Sequence, residues 1–512
     1  MASSNTAAST HSLELLVGQL FVVALDPEGS HVDSIRVHRE HHYGGVFLRR
    51  AHLQNPVQTR RLTSRFRRLG GEIPPNIVCV DEEGGLVTTV SHLTTTAPSA
   101  AALGMLDDEA VTKDVYLGIG EKLRALGFNT VFAPVLDVNT EAMNPVIGTR
   151  SFGASVALVE RHGAAAVAGL KASGIAACVK HFPGHGATAL DSHLTLPQVD
   201  ADRQTLAERE LAPFRKVLEG EAQPEMVMTA HVNYPAWDKG VPATLSEKIV
   251  TGILRREMAF RGIIVTDSME MQGISESHGP EKAALAAIEA GADLLLYGLD
   301  PKMAEAACRG VIQAVKSGKL SEERLTQSVD RVFRLRQGFR NLRWSSDEES
   351  QEILGVAHEQ AFFEAALGGL VLEGNAGVLA AISRAAGPKI IVLPRQLDQH
   401  RWLPLGVVRE QLQPAGFQIL EVDARPSAEE IARLEQRAAQ AAVVVVGTAS
   451  RGPMTEENQR LVAALTRRDV IKVGVALLDP ADADRMMTAN CRIKTFGFTA
   501  PQLWAMCQKL LG

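Results

Sequence analysis

Eight short apolar runs through the first 300 residues constrain this chain more than any other feature. They lie at 21–25, 45–48, 77–80, 130–135, 176–179, 226–229, 263–266 and 293–296. Most are continuously apolar rather than alternating, as strands buried on both faces of a parallel sheet are. Helix-like segments fall between many of them, at 57–69, 110–126, 156–172, 206–218, 246–258 and 280–290. Eight strand–helix units in succession predict a (β/α)8 TIM barrel. An open doubly wound sheet would give a similar rhythm, but it gathers its polar site at one switch point. Here several runs end in polar residues: Asp81-Glu82-Glu83, Asp137 with Asn139, Lys180-His181, His231 and Asp267. That distribution is what a barrel mouth requires.

After a charged stretch near 331–350, a second series of runs follows at 389–393, 417–422, 443–446, 472–478 and 492–496. Helical segments at 428–439 and 456–467 separate some of them, which predicts a smaller α/β sandwich domain with an open, mostly parallel sheet. The expected division is a disordered tail at 1–10, a catalytic barrel at 11–345, a linker at 346–370 and the second domain at 371–512. No Gly-rich phosphate loop occurs in the second part, so support of the barrel is its expected role.

A net charge of -6 over 512 residues argues against a broad basic face for nucleic acid or an anionic membrane. The five cysteines are scattered and form no CxxC pair, which fits a reducing compartment rather than a disulfide framework. The polar N-terminus lacks Lys and Arg, and the apolar stretch 13–25 is too short to span a bilayer. The expectation is a cytoplasmic protein.

The chemistry concentrates in KHFPGHGATALDSH, 180–193, which packs Lys180, His181, His185, Asp191 and His193 into fourteen positions. Gly184 and Gly186 suggest a pliable loop whose backbone approaches a ligand. Asp267 ends a buried run and is a candidate nucleophile for glycosidic-bond cleavage; an Asp capping the next turn would look the same. Asp191 and His193 are two apart, so in an extended segment they share a side, and the carboxylate can orient the imidazole. Alone, that spacing equally fits a turn with a surface histidine. The histidines also fit a metal-dependent barrel hydrolase built on His181, His185, His193, His231 and Asp267, or a catalytically silent sugar-binding protein.

KHFPGHG followed by DSH, with DEEGG upstream and VTDSMEM downstream, resembles glycoside hydrolase family 3, and most closely its NagZ-like β-N-acetylglucosaminidase branch. FAPVLDVN at 132–139, NPVIGTRSFG at 144–153, MTAHVNYPAWD at 228–238 and PATLSEKIVTGILRREMAFRGIIVTD at 242–267 agree in order. The resemblance implies a retaining exo-acting enzyme with a covalent glycosyl-enzyme on Asp267 and an acid/base dyad of Asp191 and His193 on a mobile loop. It implies that Asp81, Arg150, Lys180 and His181 bind the hydroxyls of the terminal sugar, with His231 and Arg124 as further binding candidates. It implies no cofactor and no metal, and a β-N-acetylglucosaminide or muropeptide-like saccharide as substrate. A β-glucosidase or glycoside phosphorylase of the same family remains the alternative. Two stretches depart from the family pattern. Glu82 and Leu86 stand where Gln and Arg are usual, and Thr149 stands where Asp is usual.

Overall fold

The computed structural model describes residues 11–26, 29–71, 73–188, 196–275, 278–398, 401–467 and 469–512. Eight parallel strands close into a barrel: β1 (Phe21–Ala24), β2 (Gly45–Phe47), β3 (Ile77–Val80), β4 (Thr130–Val131), β5 (Ala176–Phe182), β6 (Met226–Thr229), β7 (Ile263–Ser268) and β8 (Leu294–Tyr297). Each of the eight apolar runs supplies one strand, in chain order around the barrel, so the open-sheet alternative is excluded.

The continuous runs hide an alternation. Val22, Ile77, Cys79, Ala176, Cys178, Ile263 and Val265 pack with one another inside the barrel. Their neighbours Val23, Val78, Val80, Ala177, Val179 and Ile264 pack outward against the helices. Both faces are apolar because both are buried, while the period of two still decides which side chain enters the barrel. Carried one step further, that inward parity reaches Asp81 just beyond β3, Lys180 on β5 and Asp267 on β7.

The N-terminal end of the barrel is closed by the helix Glu322–Gly338. Its Val332, together with Phe339 just beyond it, joins the interior cluster. Arg336 is fully buried beside them. Its guanidinium donates to Pro75 O at 2.9 Å, Asn76 Oδ1 at 2.6 Å, Pro74 O and Gln19 Oε1. These acceptors immediately precede β1 and β3, so one side chain ties two strand entries to the closing helix. Its partners are neutral oxygens, and burial pushes the guanidinium down to about 9.

The second sheet contains β9 (Val371–Gly374), β10 (Lys389–Pro394), β11 (Phe417–Val422), β12 (Val443–Thr448), β13 (Ile471–Ala476) and β14 (Cys491–Lys494). Their order is β9-β14-β13-β12-β10-β11, parallel except for the antiparallel β9–β14 pair. β9 carries no long apolar run, and the sequence analysis did not anticipate it. The stretch before it forms two helices, Asp347–Gly355 and Glu359–Gly368. Phe363 on the latter meets Trp504 of the C-terminal helix edge to face at 5.0 Å. All five cysteines are buried and unbridged. No described helix is long and apolar enough to cross a membrane.

Arg336 yields a stability prediction. Arg336→Met keeps most of the bulk but leaves four buried acceptors short of a donor. It should cost about 2–4 kcal/mol and lower the thermal midpoint by roughly 3–6 °C. Calorimetry showing an unchanged midpoint would mean that the bottom plug is held by apolar packing alone.

Candidate active site

A cavity of about 560 Å³ opens at the C-terminal ends of the barrel strands. Asp81, Glu83, Arg150, Lys180, His181 and Asp267 all line it. Asp267 is the penultimate residue of β7 and its Oδ1 accepts from the Ser268 amide at 2.7 Å. Burial alone would raise its carboxyl. His181, His231, the Ser268 amide and Lys180 outweigh that and hold it below its ordinary value. The group is therefore an ionised carboxylate in a shielded place, which is what a nucleophile needs.

Lys180 Nζ lies 2.7 Å from Asp81 Oδ1 and 2.6 Å from Glu83 Oε1. Arg150, on a single turn at Gly148–Arg150, grips Glu83 with two bonds of 2.8 Å. Burial would raise the Glu83 carboxyl, but Arg150 and Lys180 together hold it down to about 2. Arg150 Nη2 also reaches His181 Nε2 at 3.2 Å, while His181 Nδ1 meets Asp137 Oδ2 at 2.7 Å. A guanidinium only donates, so Nε2 is the accepting nitrogen and Nδ1–H points to Asp137. Asp137 accepts in addition from the backbone N–H of His181 and of His185. It anchors the start of the histidine-rich loop.

The alternation of β5 is interrupted by a register shift against β6 between Val179 and Phe182, so Lys180 and His181 both reach the cavity. The two glycines of the loop serve close packing rather than pliability. A Cβ on Gly186 would lie 2.0 Å from the Val138 carbonyl oxygen. Gly184, at φ +149, would place one 2.9 Å from Glu210 Cβ. His185 also lines the cavity, though almost wholly covered, with Nδ1 2.8 Å from Thr188 Oγ1, and burial pushes its imidazole down to about 4.

The expected site residues are thus partly assembled. Asp81, Arg150, Lys180, His181 and Asp267 share one cavity. His231 does not line it. It sits fully buried behind β7, with Nε2–H donating to Ser268 O at 2.9 Å and Nδ1 2.9 Å from Thr244 Oγ1. Arg124 is at the opposite end of the barrel. It donates to Ser173 O and Arg343 O and lies over the Trp344 ring, because the end of its helix leads into the bottom of β4. Asp191 and His193 lie outside the described residues. Among those described, no group of three His, Cys, Asp or Glu side chains could hold a metal ion.

Glu83 and Asp137 were not singled out as site residues. A signal for Glu83 existed, since two positions after Asp81 the chain returns to the same side. Its neighbour Glu82 turns away and is 2% exposed. One Glu82 oxygen accepts from the Thr89 and Val90 amides at 2.8 and 3.1 Å. Burial pushes this carboxyl up to about 8, against the pull of those two amides. A neutral carboxyl presents one acceptor and one O–H, as an amide does, which accounts for Glu in place of Gln. Leu86 packs against the core of the second domain. Thr149 is buried, and its hydroxyl has no partner among the described residues.

A closed barrel whose strand ends hold an ionised aspartate among paired cations and carboxylates has the make-up of a glycoside hydrolase. The chain belongs to glycosyl hydrolase family 3, whose N-terminal domain matches residues 12–335. It is 32% identical over 377 residues to β-hexosaminidase A of Pseudoalteromonas piscicida, covering 69% of this chain. The chain spans 63% of that relative's length. A β-hexosaminidase of Alkalilimnicola ehrlichii is 37% identical over 272 residues, covering 52% of this chain and 76% of its own. A family 3 β-N-acetylglucosaminidase from Paenibacillus sp. str. FPU-7 superposes with a TM-score of 0.88 at 32% identity, covering 98% of this chain and 97% of that one.

Glu82 gives a pH-dependent prediction. With a folded value near 8 and an ordinary value of 4.5, the native state holds a proton that the unfolded state gives up between those limits. Stability contributed at this site therefore falls as pH rises through that window. Glu82→Gln should be indistinguishable from wild type in thermal midpoint near pH 4.5 and increasingly more stable towards pH 8. A constant difference across the range would mean that Glu82 is ionised in the fold.

Proposed function

We propose that the protein is a retaining exo-β-N-acetylglucosaminidase that removes terminal non-reducing β-linked N-acetylhexosamine. The observation that carries this reading is Asp267, a shielded carboxylate held below its ordinary value inside the cavity that Asp81, Lys180 and Arg150 line. The names of the relatives, and the motifs at 180–193 and 265–271, support the same substrate. In the first step the Asp267 carboxylate attacks the anomeric carbon and the bond to the leaving oxygen breaks. His193, oriented by Asp191, gives that oxygen a proton. In the second step neutral His193 takes a proton from water, which attacks the anomeric carbon and releases Asp267. Asp81 and Glu83 accept from sugar hydroxyls while Lys180 and Arg150 donate to them. In a cytoplasm the substrate would be a muropeptide-like saccharide.

Asp267→Ala should lower kcat by about four orders of magnitude or more while leaving the melting transition in place. A fluorinated slow substrate should leave a sugar on Asp267. Peptide mass mapping that finds the label on Glu270 would move the nucleophile. Aryl N-acetylglucosaminide should exceed aryl glucoside in kcat/KM by at least about a hundredfold, since a site built for an acetamido group leaves polar atoms unpaired with glucose. Comparable values would favour the β-glucosidase alternative.

His193→Ala should act unevenly across leaving groups. Aryl substrates whose phenols have a high pKa should lose most of their activity. Activated aryl substrates should lose far less and accumulate glycosyl-enzyme, which azide then intercepts. An equal loss across the series, with no azide product, would place the proton donor elsewhere.

A further inference from the structure

The catalytic cavity is lined by two different sets of charges. Deep in the barrel, Asp81, Glu83 and Asp267 face Lys180 and Arg150. At the mouth, the described lining adds Arg49, Arg50, Arg401 and Arg451, with no further carboxylate. Arg50 and Arg451 are exposed, and Arg49 and Arg401 are half-buried, so these four form a rim above a buried floor. This cationic rim belongs to a chain of net charge -6. Arg50 donates to Ser91 Oγ at 2.6 Å, and Arg401 meets Asp398 at 3.0 Å, so part of the Arg401 charge is offset.

Arg401 and Arg451 come from the second domain, and their place in its topology is specific. The chain leaves β10 towards β11 on one side, then returns to β12 on the other side of β10 and continues to β13. β10 and β12 are therefore adjacent strands whose connections run in opposite directions. The crevice beyond the carboxyl ends of such a pair is where open α/β sheets bind ligands. Arg401 lies in the segment after β10 and Arg451 in the loop after β12, and both face the barrel cavity.

From this geometry we infer that Arg401 and Arg451, with Arg49 and Arg50 across the mouth, form an aglycone subsite for a negatively charged group. The inference rests on the exo-glycosidase reading, which puts the terminal sugar on the floor and sends the aglycone out past the rim. The chemical class is a saccharide whose aglycone carries a carboxylate beyond the scissile oxygen. Arginine suits this role because its planar fork pairs with carboxylate oxygens two at a time.

The test compares two aryl N-acetylglucosaminides, 4-(2-carboxyethyl)phenyl and 4-(2-carbamoylethyl)phenyl. Their phenols are nearly equal leaving groups, and they differ in charge well away from the reacting atoms. The wild type should prefer the carboxylate in kcat/KM by about two- to fivefold at low salt. The preference should shrink as added salt screens the rim. Arg451→Gln and Arg401→Gln should each reduce this ratio, and the double variant should bring it close to one; retained melting transitions certify the fold. A wild-type ratio of one, or a ratio that survives the double variant, overturns the assignment. Turnover of neither substrate would instead count against the exo-glycosidase reading. Acceleration by inorganic phosphate with release of a sugar phosphate would make the arginines an acceptor site and overturn the aglycone role.

Discussion

The site depends on Glu83 being ionised on the cavity floor, where its side chain is almost wholly covered. One carboxylate, contributed just beyond β3, receives both Arg150 from the 148–150 turn and Lys180 from β5. Isolated in the interior, any of these charges would be strongly disfavoured; together each removes the desolvation cost of the others. The network extends through Arg150 to His181 and on to Asp137. Four chain segments are thus held in mutual register by hydrogen bonds rather than by apolar packing. This matters for a sugar site, because hydroxyls must find donors and acceptors already in place, and an ion-paired lattice does not reorganise cheaply.

The same arrangement explains which parts of the site were readable in the chain. Asp81, Lys180 and Asp267 continue an inward parity that starts inside apolar runs, so each is legible from its own strand. His231 obeys the same rule in the other direction. Met226 and Met228 face the interior, and an odd step from them turns His231 outward behind β7. His181 escapes the rule through a register shift that no periodicity reveals. Arg124 stood out by residue type alone. Its helix ends at the bottom of the barrel, and only the helix direction, not its composition, tells which end that is.

Pairings between distant segments were not legible. Glu83 and Glu82 look alike in sequence, yet one is driven to ionise by two cations and the other is kept protonated by burial. The difference is one residue of strand parity plus partners 67 and 97 positions away. Apolar runs predicted five of the six strands of the second sheet because these send apolar side chains into its two cores, even at the partly exposed edge strand β11. β9 was missed because it is a partly exposed antiparallel edge beside β14, with little apolar surface to announce it.

The second domain has a geometric reason to sit where it does. A barrel mouth offers loops from eight strands, but the floor they surround is already occupied by ion-paired side chains. Holding side chains above the mouth from the barrel itself would take a loop long enough to arch there, and such a loop is costly to order. An open sheet aimed carboxyl end down supplies such groups on short connections, each fixed by a strand with a buried apolar core behind it. Ser99 Oγ donates to Phe496 O and receives from Gln502, and Leu86 packs into the same core, so the two units meet through both hydrogen bonds and apolar contact. The sheet carries no phosphate-binding glycine loop of its own, and it needs none. Its switch point faces the barrel's cavity, where Arg401 and Arg451 join the lining supplied from below.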